Sequence, residues 1–482
     1  MTRLLEHEMA HVDVEGTPKL KPCWRWLGAV LAVGAVLRLF GIRWGFPYHF
    51  HPDENMMIIV LDRIRAGHLN PDFFAYGSFP LYLVKGIIGL FTVLIQGEVD
   101  PYLVGRIVAA LCGIATLLVL FVLGRRVYGD RTALFGTLFL ALSVIHIQLS
   151  HFYTVDIFLA LIVVATLLGA WRLGSEGDRF SYIATGLLLG LGGATKGAAV
   201  FLLPPIALAH WFGPGNRNRG RWSHVALLAG AAALAFMLAE PYAVLELGHF
   251  LRDLAEQSSM VTGRADFPYT RQYAGTIPYL YQVRNTLLWG LGLPLEILAL
   301  LGLALAVKRA VGLGLFRGGR RGFRLTLRPT LAGRNWSDLF VLSFVIPYFL
   351  VVGAFHTKHM RYLAPIVPLL CLVAGRLIVY AIERLRTAGW RRFAVGAAWC
   401  AFALTALYAL AFARIYLLPS TRLAATEWIG RNAGSRDTIL IEHWDDRVPV
   451  DADDRGYNIV DLPQYEPDTE EKRRLLADAL AG

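Results

Sequence analysis

Charge is what this sequence most lacks. Of its 482 residues, 17% are charged and 56% are hydrophobic, whereas an average soluble domain carries roughly 25% charge. A chain of this length would otherwise suggest about three soluble domains, and the shortage of charge excludes that reading. Cysteine is also scarce. Cys23, Cys112, Cys371 and Cys400 never fall within a few residues of one another, so neither a zinc spacing nor a disulfide framework is suggested. They read as small buried hydrophobes. The opening stretch MTRLLEHEMAHVDVEGTPKLK has no hydrophobic core ahead of a small-residue cleavage site. The expectation is therefore an uncleaved first anchor. Net charge is +11, but no nucleic-acid fold pattern accompanies it, and no convincing internal repeat is present.

What the sequence does have is long apolar runs, which are able to cross about 30 Å of hydrocarbon. They fall near 25–42, 103–124, 131–149, 153–171, 180–195, 197–212, 223–240, 286–307, 337–355, 361–382 and 393–417, with a further run at 79–96. Short connections carry Arg125, Arg126 and Arg131, then Arg172 and Arg179, then Arg217, Arg219 and Arg221. Later ones carry Lys308, Arg309 and the arginines from Arg317 to Arg334, then Arg384, Arg386, Arg391 and Arg392. Cytoplasmic loops are enriched in such residues. All of them lie inside only if 79–96 does not cross. The expected fold is thus an all-α polytopic membrane bundle of about eleven crossings. Residues 1–24 are cytoplasmic, 25–417 form the transmembrane domain, and 418–482 form a small α/β segment outside. The run 79–96 becomes an in-plane or re-entrant helix in the first outer loop, 43–102.

With that topology, ionisable residues collect on the outer side. They are His51, Asp53 and Glu54 in the first loop, Arg106 at the start of the second crossing, and His151 and Asp156 in SHFYTVD. Lys196 in GGATKGAA, Glu240 in AEPYA, and His356, Lys358, His359 and Arg361 in FHTKHMRY complete the set. Charges at membrane depth are costly and usually line a polar cavity or pathway. Each residue also has a simpler explanation. The cations can snorkel to headgroups, the histidines can be ordinary interfacial residues, and Asp156 can cap a helix. In FHPDENMMIIVLDRIRAG, Pro52 suits the first helical position, Asp53 and Glu54 complement the helix dipole, and Gly67 suits the stop. That stretch reads equally well as a helix start and as the acidic end of a site. Three patterns are decoys. GLGGATKGAAV lacks the Ser or Thr that a phosphate loop places after its lysine. Asp451-Ala452-Asp453 lies in a solvated acidic tail, and the sequon NWS at 335–337 lies on the cytoplasmic side.

The Asp-Glu opening of the first outer loop, RIVAALCGIATLLVLFVLGRRVYGDRTALFGTLFLALS, SHFYTVDIFLALI, TKG and MRYLAPIVPLL together resemble one family over about residues 25 to 415. It is the GT-C class of lipid-linked-sugar glycosyltransferases, in the branch of protein O-mannosyltransferases and lipid A aminoarabinose transferases. The resemblance implies an inverting transfer of a sugar from a polyprenyl- or dolichyl-phosphate carrier to a hydroxyl on protein, lipid or glycan. It implies that Asp53 is the general base, with Glu54 beside it and Asp156 as the acid of the second outer loop. Arg106, Lys196 and Arg361, with Lys358 nearby, then contact the donor phosphate. His51, His151, Glu240, His356 and His359 are further substrate-site candidates.

Two departures from that family stand out. No WWD-type sequence of the oligosaccharyltransferases is present, which argues against en bloc oligosaccharide transfer. The tail, with EHWDDRVP, reads as a helix near 421–432, a strand near 438–443 and another near 457–461, too little to bury its own core. It is expected either to dock on the outer mouth or to be continued by further chain beyond Gly482. The loop 241–285 is long, and connections of that length are usually functional or disordered; it is expected to cover the acceptor side. The competing reading is a secondary transporter or flippase, for which charges at the bilayer midplane would be the sign. Arg38 and Glu296 are the partial exceptions to the outer clustering, and were they to pair, they would do so between helices. No obligatory cofactor is expected. A divalent cation, Mg or Mn, on Asp53, Glu54, Asp156 and several of the histidines is the alternative.

Overall fold

The computed structural model describes residues 21–311, 336–385, 387–442, 447–450, 456–464 and 466–481. The N-terminal segment, the arginines 317–334, Asn335 of the sequon, Asp451 and Asp453, and residues 443–446 of the tail motif lie outside them. The chain is mostly helical. Its first elements are α1 (Lys21–Leu39), α2 (Pro52–Arg63), α3 (Phe79–Ile95), α4 (Pro101–Tyr128), α5 (Asp130–Ala141) and α6 (Val144–Leu149). Then come α7 (Val155–Ser175), α8 (Arg179–Gly193), α9 (Leu203–Phe212), α10 (Trp222–Ala239) and α11 (Leu247–Thr262). The bundle closes with α12 (Leu293–Val311), α13 (Trp336–Val352), α14 (Val367–Arg384) and α15 (Ala388–Ala413).

Among the described residues, α4, α7, α10 and the helical stretch beginning at Ala388 are long and apolar enough by themselves to cross a membrane. The helices α3 and α13 are shorter and equally apolar, as is the stretch Gly197–Phe212. The core runs through α4, α7, α13 and α14, around Leu117, Leu120, Phe158, Phe344 and Leu372. Where α8 meets α10 the backbones touch. A Cβ on Gly186 would lie 2.3 Å from the Leu228 carbonyl oxygen, and one on Gly190 would lie 2.2 Å from that of Ala232. Small residues permit this approach, which stabilises helix pairs in lipid by close packing.

Arg38 does not pair with Glu296. Its guanidinium donates to the carbonyls of Gly34 (3.0 Å), Ala141 (3.1 Å) and Leu140 (3.0 Å) and to His146 Nδ1 (2.9 Å). The C-terminal end of α5 supplies the Ala141 and Leu140 carbonyls, as helix C-termini do, and Gly34 lies one turn back on α1. Glu296 instead accepts from Thr286 Oγ1 at 3.0 Å.

The tail carries a helix at Thr421–Asn432, strands β1 (Thr438–Glu442) and β2 (Asn458–Leu462) paired in parallel, and a final helix, Glu470–Ala481. The last helix has no strong apolar signal in the sequence. Arg422 anchors the tail near the outer loop, with its guanidinium 5.3 Å from the Phe50 ring centroid and a long bond to the Phe50 carbonyl.

Candidate active site

The start of α2 is built by local chemistry. His51 is the N-cap residue, and its Nδ1 accepts from the Glu54 N–H at 3.4 Å. Pro52 follows at the first helical position, where its missing N–H costs nothing. The helix stops at Arg63, before Gly67. Reciprocal backbone bonds between Arg65 and His68, both 2.9 Å, form a tight turn instead, and Gly67 takes its left-handed position. The stop is thus imposed by this turn rather than by a glycine cap.

The next segment is wedged against the turn that presents Lys196. Gly77 N–H donates to the Thr195 carbonyl and Phe79 N–H to that of Ala194. Only glycine fits at 77, since a Cβ there would lie 2.1 Å from the Ala194 oxygen. This contact fixes Tyr76 and Lys196 relative to one another.

Four charged side chains then form one chain. Tyr76 donates its hydroxyl to Asp53 Oδ1 at 2.8 Å. Arg361 Nη1 donates to Asp53 Oδ2, and its Nε lies 3.8 Å from Asp156 Oδ2. Lys196 Nζ donates to Asp156 Oδ1 at 2.8 Å and lies 5.0 Å from the Tyr362 ring centroid. Two carboxylates and two cations alternate, so the group is formally neutral. Access separates them. The Asp53, Lys196 and Arg361 side chains are 17%, 21% and 24% exposed, and that of Asp156 is 4% exposed. Asp53 can therefore meet a substrate, while Asp156 mainly holds the two cations.

Burial pushes the Asp53 carboxyl up. Arg361, His51 and Tyr76 more than offset this and hold it below the ordinary carboxylate range. Burial and the Asp53 charge raise the Tyr76 phenol, so it remains a donor. His359 is driven down to about 4 by burial and by Arg361, so it is neutral at physiological pH. Its Nδ1 lies 3.0 Å from the Tyr273 hydroxyl.

Glu54 and Arg106 are placed elsewhere. Their side chains are 0% and 1% exposed. Arg106 Nε and Nη2 donate to Glu54 Oε1 (2.8 Å) and Oε2 (2.6 Å), and Glu54 Oε1 also accepts from Tyr153 N–H at 3.1 Å. The remaining Arg106 nitrogen, Nη1, donates to the carbonyls of Ile42 and Trp44. An acid and a base that hold each other in this way, both buried, are closed to a substrate, and a positioning role fits them.

The other candidates divide. Lys358 is buried and turns back to the His356 carbonyl at 2.9 Å. His151 has its two ring nitrogens 2.9 and 3.1 Å from the Ile147 and Phe40 carbonyls and stacks on Tyr416, so it braces the wall. Glu240 is buried just beyond α10, and the described contacts do not join it to the chain of four. His51 lies 4.0 Å from Asp53. The loop 241–285 bridges the first outer loop and the late turn. Asn70 donates to Glu246 at 2.6 Å, Phe74 N–H to Asp253 at 3.0 Å, and His356 N–H to the Val261 carbonyl at 2.8 Å. Sequence reasoning missed Tyr76, Tyr273 and Tyr362, because aromatic residues in a long loop carry no period that singles one out. Among the described residues, no three His, Cys, Asp or Glu side chains gather as a metal site. Asp53 and Asp156 direct oxygens at Arg361, and Glu54 is consumed by Arg106.

Comparison with known proteins gives a partial family match and a shared fold. Residues 82–244 match the family described as dolichyl-phosphate-mannose-protein mannosyltransferase. Two solved structures share the fold across most of the chain. ArnT from Cupriavidus metallidurans, bound to undecaprenyl phosphate, superposes with a TM-score of 0.52 at 16% identity, covering 93% of this chain and 87% of that one. The Archaeoglobus fulgidus oligosaccharyltransferase gives 0.57 at 15% identity, covering 87% of this chain and 59% of that one. The chain has the GT-C glycosyltransferase fold. The family match adds a likeness to the mannosyltransferases over residues 82–244. The chain spans about three-fifths of the oligosaccharyltransferase's length. Another Archaeoglobus structure with this fold, AglB with an inhibitory peptide and a dolichol-phosphate, gives a TM-score of 0.56 at 13% identity, covering 86% of this chain and 59% of that one. A comparison with curated protein sequences gives no match.

Proposed function

We propose that the chain is an inverting glycosyltransferase. It moves a sugar from a polyprenyl- or dolichyl-phosphate carrier to a hydroxyl acceptor on the extracytoplasmic face. The observation that carries this is the partly exposed Asp53 carboxylate, held by Tyr76 and Arg361 beside the Asp156–Lys196 pair. Asp53 takes the proton of the attacking hydroxyl. As the new bond forms at the anomeric carbon, the sugar–phosphate bond breaks and its electron pair leaves on the lipid phosphate. Arg361 and Lys196 stabilise that charge. Each has N–H donors to spare, since a guanidinium carries five and an ammonium three. A phosphate that draws Arg361 from Asp53 also raises the basicity of Asp53, so the donor readies the base. Protein, lipid and glycan hydroxyls all fit this chemistry.

The test is reconstitution with a labelled polyprenyl-phosphate sugar. Transfer of label to a hydroxyl acceptor added outside the vesicle is expected. Movement of the lipid across the bilayer without sugar transfer would replace this reading with a flippase.

The same proposal includes eleven crossings with the N-terminus inside, and α3 in the plane of the outer surface. Gly97, just past α3, is exposed. A Gly97→Cys variant is expected to react with an impermeant thiol reagent from outside. Labelling only from the cytoplasm would overturn the eleven-crossing arrangement.

A further inference from the structure

The end of the bundle opposite Asp53 holds a second cluster of charge. Arg106 and Tyr128 both lie on α4, about 33 Å apart along the axis at 1.5 Å per residue. Around Tyr128, α14 presents Arg376, Tyr380 and Arg384, spaced four residues apart and therefore on one face. The facing helix α12 adds Arg309. The guanidinium carbons of Arg309, Arg376 and Arg384 lie 5.6, 6.0 and 5.5 Å from the Tyr380 ring centroid, and Arg376 also lies 5.5 Å from that of Tyr128. Asp338 is the carboxylate built into the cluster. It is 1% exposed and already accepts from Arg309 at 2.6 Å and from the Tyr128 hydroxyl at 2.9 Å. Among the described residues, Arg376 and Arg384 have no carboxylate partner, and Arg376 Nε is buried without a hydrogen bond. Glu383 is exposed and makes no ion pair with them in the described contacts.

Ring faces attract cations, but they do not neutralise them. Among the described residues, three guanidinium groups around one phenol, with one acid between them, leave excess positive charge at this end of the bundle, which an anion would offset. Guanidinium forks match phosphate oxygens in pairs. Basic pockets between helices on the cytoplasmic side bind phosphate head groups in this way.

We propose that Arg376 and Arg384, with Arg309 behind them, form an anion site that takes a phosphate group. Either the phosphodiester of an anionic membrane lipid or a free phosphate has the required chemistry. The site does not depend on the catalytic reading, because none of its residues belongs to the Asp53 cluster.

The test is native mass spectrometry of the full chain in detergent, incubated with phosphatidylglycerol or phosphatidylcholine. Wild type is expected to retain phosphatidylglycerol preferentially, and the Arg376→Gln/Arg384→Gln variant to retain it about tenfold less, by the loss of two charge-assisted contacts. Displacement of the lipid by millimolar inorganic phosphate would assign the site to phosphate as such, and persistence would assign it to the lipid. Equal retention by wild type and the double variant would overturn the site. So would equal retention of the two lipids by wild type. Should the double variant not fold, Arg384→Gln, at the exposed end of α14, is expected to lower retention alone. Unchanged retention there would also overturn the proposal.

Discussion

Asp53→Asn is expected to lower the transfer rate by about 10²- to 10⁴-fold, the usual contribution of a positioned general base. Donor affinity should stay within a few-fold, because the amide still accepts from Tyr76 and Arg361 keeps its place beside Asp156. The pH profile makes the assignment sharper. Arg361, His51 and Tyr76 outweigh burial and hold the Asp53 carboxyl below the ordinary range. Its basic form is therefore present throughout neutral and mildly acidic pH, and activity falls only as pH drops through that lowered value. A group depressed in this way also stabilises the fold above its unfolded pKa, and that stability is lost as pH falls through the folded one. In the complex, donor phosphate competes for Arg361, and the carboxyl rises. The acid limb of kcat should then lie at higher pH than that of kcat/KM, since the first reports the complex and the second the free enzyme. Full transfer by Asp53→Asn, or coincident acid limbs, would remove Asp53 from the base role or Arg361 from its control.

The sequence made part of this arrangement legible. Asp53, Asp156, Lys196 and Arg361 lie far apart in the chain and could be placed on one side of the bundle by counting basic loops, because charge asymmetry between loops follows orientation. That count says which end a residue occupies, not which neighbour it faces. Glu54 and Asp53 are adjacent in sequence, yet a helix turns about 100° per residue. One carboxylate faces solvent and the other faces α4. Nothing in the local pattern says which. Lys358 and Arg361, three residues apart, differ in the same way, because the turn folds Lys358 back on the His356 carbonyl. Tyr76 reaches Asp53 only because Gly77 lets the chain pass against Ala194, a long-range contact with no periodic signature. The tail strands showed as short β-branched runs, while half of the residues of Glu470–Ala481 are charged and leave it no long apolar run.

Arg106→Met is expected to be the most damaging single change outside the Asp53 cluster. Removing one partner of a buried ion pair costs about 3–5 kcal/mol, because the other charge is left without compensation. The loss here is also geometric. Arg106 joins three segments: the carbonyls of Ile42 and Trp44, the start of α2 through Glu54, and through Glu54 the Tyr153 amide. Asp53 precedes Glu54 by one residue and Asp156 follows Tyr153 by three, so this pair sets the spacing of the two acids. Arg106→Met should therefore lower the apparent melting temperature in detergent and reduce transfer together. Arg106→Lys should rescue little, since an ammonium cannot make the planar fork and also reach two carbonyls. Glu54→Gln combined with Arg106→Met should melt higher than Arg106→Met alone, because no buried charge is stranded. A phosphate-binding Arg106 would behave differently. Its lysine variant would keep the wild-type melting temperature and show a raised KM for the donor, and that result would return Arg106 to the donor site.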